Sequence, residues 1–152
     1  MISCLRTIAY HPDMGECNTM TMLGRMFGFG RNEHYDKGIR LFDQGLYEEA
    51  VIELENIVEA LPGSSRSDTL TQRLASFYIA EAYANLGTAA LQKQTYDKAQ
   101  DALGKALAIN PHFADLHFHF GRACLKMGNA AMASAAFRDA LSINPQFAKA
   151  HF

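Results

Sequence analysis

The chain reads as all-α: an α-solenoid of three helix-turn-helix units and the start of a fourth helix pair, with a lengthened first helix in the second unit. The ground for this is an internal echo. Ile109-Asn-Pro-His-Phe-Ala-Asp-Leu-His-Phe118 returns further on as Ile143-Asn-Pro-Gln-Phe-Ala-Lys-Ala-His-Phe152. An interval of about 34 residues marks stacked two-helix units, which bury apolar surface against neighbours instead of around one centre. Seven identities hold the register: Gly87, Ala99, Ala106, Leu107, Ile109, Asn110 and Pro111 recur as Gly121, Ala133, Ala140, Leu141, Ile143, Asn144 and Pro145. An earlier copy stands at a larger offset, where Gly38, Tyr47, Ala50, Leu54 and Pro62 match Gly87, Tyr96, Ala99, Leu103 and Pro111. The extra length between these two copies is an insertion, placed at residues 65–79.

The units are predicted at residues 31–64, 80–113 and 114–147, with a truncated fourth from 148, all within one domain over 31–152. Gly38, Gly87 and Gly121 fall inside first helices. Glycine there costs about 1 kcal/mol against alanine, so each points to a place where the second helix comes too close for a side chain. Ala50, Ala99 and Ala133 read as the small counterparts on the second helices. Pro62, Pro111 and Pro145 end those helices, because proline cannot continue the hydrogen-bond ladder. Gly45 and Gly128 mark the turn inside two units, and Gln94 takes that place in the middle one.

These residues resemble the tetratricopeptide repeat (TPR) family over roughly residues 31 to 147. The middle copy supplies Tyr83, Leu86, Gly87, Ala99, Leu103, Ala106 and Pro111, and the last supplies Phe120, Gly121, Ala133, Phe137, Ala140 and Pro145. His34 and His117 depart from the pattern where the first aromatic is usual. In the opening copy Lys37 replaces the leucine and Ile57 the second alanine.

The insertion carries Leu70, Leu74 and Phe77 at helical spacing after Ser67 or Asp68, either of which can cap a helix. It is predicted as about four added turns on the second unit's first helix. Its apolar stripe needs cover, and Met22, Leu23, Met26, Phe27 and Phe29 of the N-terminal segment, residues 1–30, are the nearest in sequence. That segment carries no repeat signal and is expected to be partly disordered. Met20, Met22 or Met26 is an alternative translation start.

Composition narrows the function. Apolar residues are 49% and charged residues 20%, which suits a folded protein and not a disordered one. A formal net charge of −2 gives no positive field to recruit nucleic acid. Cys4, Cys17 and Cys124 form no CxxC pair and fit a reducing compartment, so a cytoplasmic location is expected. No apolar run reaches the roughly 18 residues that a membrane-spanning helix needs, so no membrane insertion is expected either.

Candidate chemistry yields to plainer readings. His112, His117 and His119 invite a metal reading, but His117 and His119 lie two apart, about 200° round a helix, and cannot share one ion from the same helix. Gly28-Phe-Gly30 opens like a dinucleotide fingerprint, but it lacks the third glycine and a preceding strand. Nucleophile-elbow, phosphate-loop and HExxH patterns are missing, so no catalytic residue, metal or cofactor is assigned and an enzyme is not expected. Cys124 sits at a core place, where a buried thiol is inert. Glu48, Glu49, Glu53, Glu55 and Glu59 fall on one arc of a helix and read as a solvated face.

What the resemblance implies is a protein–protein interaction scaffold or adaptor that holds a peptide or helical segment in a groove lined by the first helices. Carried over position by position, the lining is Tyr35, Ile39 and Phe42 in the opening copy, Ala84, Thr88 and Leu91 in the middle, and Phe118, Arg122 and Lys126 in the last. Such a lining suits an apolar ligand whose acidic end meets Arg122 and Lys126. A subclass of the family clamps acidic chaperone tails with Lys, Asn and Arg. Only Asn85 stands in a clamp place here, with Tyr35, Ile39, Asp115 and His119 at the others, so that function is not expected. The alternative is a self-associating assembly module. The short stretch after Pro145 supplies no capping helix to close the last unit, so Ala133, Ala136, Phe137 and Ala140 are expected to lack cover, either in a fragment of a longer array or in a homo-oligomer.

Overall fold

A computed structural model of the chain describes residues 33–60 and 66–146, with the backbone alone for Ala60 and residues 66–68. The expectations for residues 1–30, for the cap at Ser67 or Asp68 and for the fourth unit from 148 lie outside the described residues, as do Cys4, Cys17, Gly28, Gly30 and Pro62. Six helices run in order among those described: α1 Glu33–Asp43, α2 Tyr47–Ala60, α3 Arg66–Gln92, α4 Tyr96–Ile109, α5 Ala114–Lys126 and α6 Ala130–Ile143. There is no strand among them. Each helix packs chiefly on the next, and α3 also touches α1 and α5.

Three turns are built alike. At the α1–α2 turn Gly45 N–H donates to Phe42 O (2.9 Å) and Leu46 N–H to Leu41 O (2.9 Å), the paired bonds that close a helix end through a left-handed residue. Gln94 and Thr95 repeat this on Leu91 and Ala90, and Gly128 and Asn129 on Leu125 and Cys124. Gly45 and Gly128 have φ of 77° and 82°, which glycine adopts freely, whereas Gln94 is held at 59° against the preference of a side-chain-bearing residue. Asn129 also caps α6, its side-chain oxygen accepting from Met132 N–H.

Inside each hairpin the helices meet at the glycine. A β-carbon on Gly38, Gly87 or Gly121 would come within 2.7 Å of Leu54, 2.5 Å of Leu103 or 2.7 Å of Phe137. The close neighbour is therefore this larger residue, one turn beyond the alanine read as the counterpart. Ala50, Ala99 and Ala133 are buried beside the crossing, and at Gly38 it is the Ala50 carbonyl oxygen that lies 3.5 Å away.

Burial falls into three clusters and not one centre, as nearest-neighbour stacking requires. Val51, Leu54 and Ile57 of α2 meet Ala75, Ile79 and Ala82 of α3. Ala90, Ala99, Leu103 and Ala106 meet Leu116 and Ala123 of α5. Phe118 and Ala140 join α5 to α6 with Phe137 and Leu141 against them. The inserted residues continue α3 as one helix of 27 residues, about 40 Å long at 1.5 Å per residue. No described helix is long and apolar enough to cross a membrane.

The last unit departs from expectation. Ala133, Ala136 and Ala140 are buried at 1%, 4% and 0% exposure, and the Phe137 ring is half-buried against Phe118. Small side chains let α6 lie close on α5, so this stripe faces inward where an uncovered apolar face was anticipated.

Candidate peptide-binding groove

The first helices of the hairpins, α1, α3 and α5, carry all nine residues of the anticipated lining, and the structure sorts them by exposure. In α1, Tyr35, Ile39 and Phe42 are half-buried and packed on the first core cluster. Tyr78 of α3 gathers two of them: its ring meets Tyr35 edge-on at 6.5 Å and Phe42 at 5.3 Å, while Phe42 also meets Tyr47 at 5.3 Å. Burial pushes the Tyr35 hydroxyl above its ordinary pKa, with Tyr78 and Asp36 adding to the effect.

In α3, Ala84 and Leu91 are half-buried on the second cluster. Thr88 turns its hydroxyl back to Asn85 O (3.0 Å), and the Asn85 amide donates to Glu81 O (2.9 Å). Both polar groups are therefore spent within α3.

In α5 the three residues separate. Phe118 is buried, 8% exposed, against Phe137 (5.8 Å), because the Gly121 crossing draws α6 beneath it. It underlies the groove instead of lining it. Arg122 and Lys126, one turn apart, are exposed, and the Arg122 guanidinium lies 5.8 Å from the Phe118 ring centroid. A cation over an aromatic face is held without losing its outward hydrogen-bond donors. Among the nine, Arg122 and Lys126 are thus the exposed cations on α5, while the apolar side chains of α1 and α3 are partly open.

Polar ties fix the hairpins around this face. Glu53 of α2 accepts from Lys37 Nζ (2.5 Å) and from His34 Nδ1 (2.8 Å) of α1. The Lys37 bond and then the His34 bond hold its carboxyl below the ordinary carboxylate pKa. Glu55 accepts from Tyr83 Oη (3.1 Å), whose ring carries Lys105 Nζ at 5.0 Å; burial first, then Glu55, raises the Tyr83 pKa. Glu48, Glu49 and Glu59 are exposed, but Glu53 and Glu55 are half-buried and engaged by neighbouring helices. The acidic arc of α2 is therefore only partly solvated.

The histidine and thiol fall to structure. His117 Nε2–H donates to Pro111 O (2.8 Å), and its Nδ1 lies 3.9 Å from Asp139, which ties the α4–α5 turn to both helices of the last hairpin. Cys124 is fully buried, and desolvation pushes its thiol pKa up.

A family model, tetratricopeptide repeat, matches residues 90–151, which take in α4, α5 and α6 with their turns. These are tetratricopeptide repeats. Among solved structures, the C-terminal TPR-containing domain of a Plasmodium falciparum FK506-binding protein is similar in fold at TM-score 0.54 and 18% identity, covering 78% of this chain and 79% of that one. The chain is also similar to MamA (TM-score 0.46, 23% identity, 74% and 77% covered). A third similar structure is the first TPR of Spaghetti, bound to an HSP90 peptide (TM-score 0.44, 20% identity, 77% and 81% covered). No curated protein sequence matches the chain. Against the TPR pattern, Tyr78 and Glu53 are the residues that comparison of repeats leaves out. Tyr78 lies in the insertion, and the later copies set Ala102 and Ala136 where the first has Glu53.

Proposed function

We propose that the chain is a protein–protein interaction adaptor that holds a peptide or short helix along α3 and α5. Its apolar side would lie against Ala84, Thr88 and Leu91 and an acidic end against Arg122 and Lys126. The observation that carries this is the pairing of two exposed cations, one seated on the Phe118 ring, with partly open apolar side chains on the next first helix. Two positive charges one turn apart favour a carboxylate-bearing end, and a groove of small side chains admits a backbone closely. Tyr35, Ile39 and Phe42 extend the lining toward α1, with most of their area given to Tyr78 and the core. Broken clamp places at Tyr35, Ile39, Asp115 and His119 separate this reading from chaperone-tail binding.

The test is selection of short peptides displayed on phage against the immobilised full chain, with Arg122→Glu/Lys126→Glu as counter-target. Apolar sequences ending in Asp or Glu are the expected winners, and they should be lost on the counter-target. Winners without acidic residues, or equal recovery on both proteins, would remove the assignment.

A further inference from the structure

The first turns of α3 run beyond the point where α4 ends, and an open cleft of about 770 Å³ lies there. Leu70, Leu74 and Phe77 of α3, Val58 near the end of α2 and Ile109 at the end of α4 line it, each between 37% and 45% exposed. Single exposed apolar residues are ordinary, whereas five round one cleft mark a contact surface. Leu70, Leu74 and Phe77 stand at i, i+4 and i+7, a straight stripe of the kind that receives another helix. With Arg73, Thr69, Gln72, Ser76 and Asn110 complete the described lining, so it is the straight apolar stripe that favours a helix as occupant. Arg73, in the middle of the stripe's length, is exposed and is the one charged residue among the described residues lining the cleft. Among the described residues no carboxylate pairs with it. Two-fold pairing of copies about the centre of the stripe would set Arg73 against Arg73, so charge disfavours a second copy and favours an acidic partner.

We propose that this cleft docks an amphipathic helix of another protein, its apolar face on Leu70, Leu74 and Phe77 and a carboxylate on Arg73. The cleft shares no residue with the groove, so either surface can fail without the other.

The experiment titrates a labelled synthetic helix of about four turns, with leucines along one face and flanking glutamates, into the full chain, followed by anisotropy. An otherwise identical peptide with lysines for the glutamates is the comparison. The glutamate peptide should bind more tightly than the lysine peptide. Leu74→Ala/Phe77→Ala should weaken it at least tenfold at unchanged Tm. Arg73→Glu should weaken it about threefold to fivefold and turn the preference toward the lysine peptide, a reversal that no loss of folding imitates. Arg122→Glu/Lys126→Glu should leave it unchanged. No binding, equal binding of both peptides, or unchanged binding to Leu74→Ala/Phe77→Ala would overturn the proposal. So would binding that appears only in a full chain carrying Phe27→Asp/Phe29→Asp, which would assign the cleft to the protein's own N-terminal segment. Self-association abolished by Leu74→Ala/Phe77→Ala would assign it to a second copy.

Discussion

Gly87 and Leu103 cross so closely that a β-carbon on the glycine would stand 2.5 Å from the leucine Cγ. Cγ is a branch point and cannot swing aside as a chain end would, so Gly87→Ala must push α3 and α4 apart. Overpacking of this kind costs about 1–3 kcal/mol, against about 1 kcal/mol gained in helix propensity. Chemical denaturation should show Gly87→Ala less stable, by up to about 2 kcal/mol. In a Leu103→Ala background the same change should become neutral or stabilising, and an equal cost in both backgrounds would refute the crossing.

The three hairpin turns predict a stabilising substitution. Gln94 occupies, at φ 59°, the left-handed place that Gly45 and Gly128 hold in the other two turns. Gln94→Gly should gain about 0.5–1 kcal/mol, seen as a raised Tm, and Gly128→Ala should lose about 1 kcal/mol or more.

Glu53 gives a pH dependence with a definite sign. Its carboxyl is held below the ordinary value of 4.5 by Lys37 and His34. The folded chain therefore favours the ionised form more than the unfolded chain does. That contribution is present above pH 4.5 and disappears as pH falls through the lower folded value. Unfolding titrations across this range should show the wild type more stable than Glu53→Gln at neutral pH, with the difference gone in acid.

Burial of Phe118 predicts the wrong phenotype for a ligand contact. Phe118→Ala should lower stability by about 3 kcal/mol or more, through the space it leaves beside Phe137 and Ala140. Arg122→Ala, which removes an exposed side chain, should leave Tm within a degree or two. Equal Tm values for the two variants would show Phe118 to be open lining.

The hairpin register was legible because residues recur at a fixed interval and each recurrence has a physical duty: glycine at a crossing, proline after a helix, a left-handed residue in a turn. Positions without a counterpart escaped that comparison. Tyr78 sits in the added turns of α3, so no repeat position pointed to it, yet it joins Tyr35 to Phe42. His34 and Lys37 looked like two separate departures from the family pattern. They are one device, since both reach Glu53 from α1. Helical periodicity places Phe118 and Ala133 on faces, but which face a neighbour covers depends on how closely α5 and α6 cross, and that is set by contact with Phe137.

The central claim is that Arg122 and Lys126 anchor a ligand on the α3–α5 face. The most direct measurement is the affinity of one selected acidic peptide for the wild type and for Arg122→Glu/Lys126→Glu, by titration calorimetry, with thermal unfolding of both proteins alongside. The account predicts at least a tenfold loss of affinity at unchanged Tm. Unchanged affinity in the double variant would contradict it.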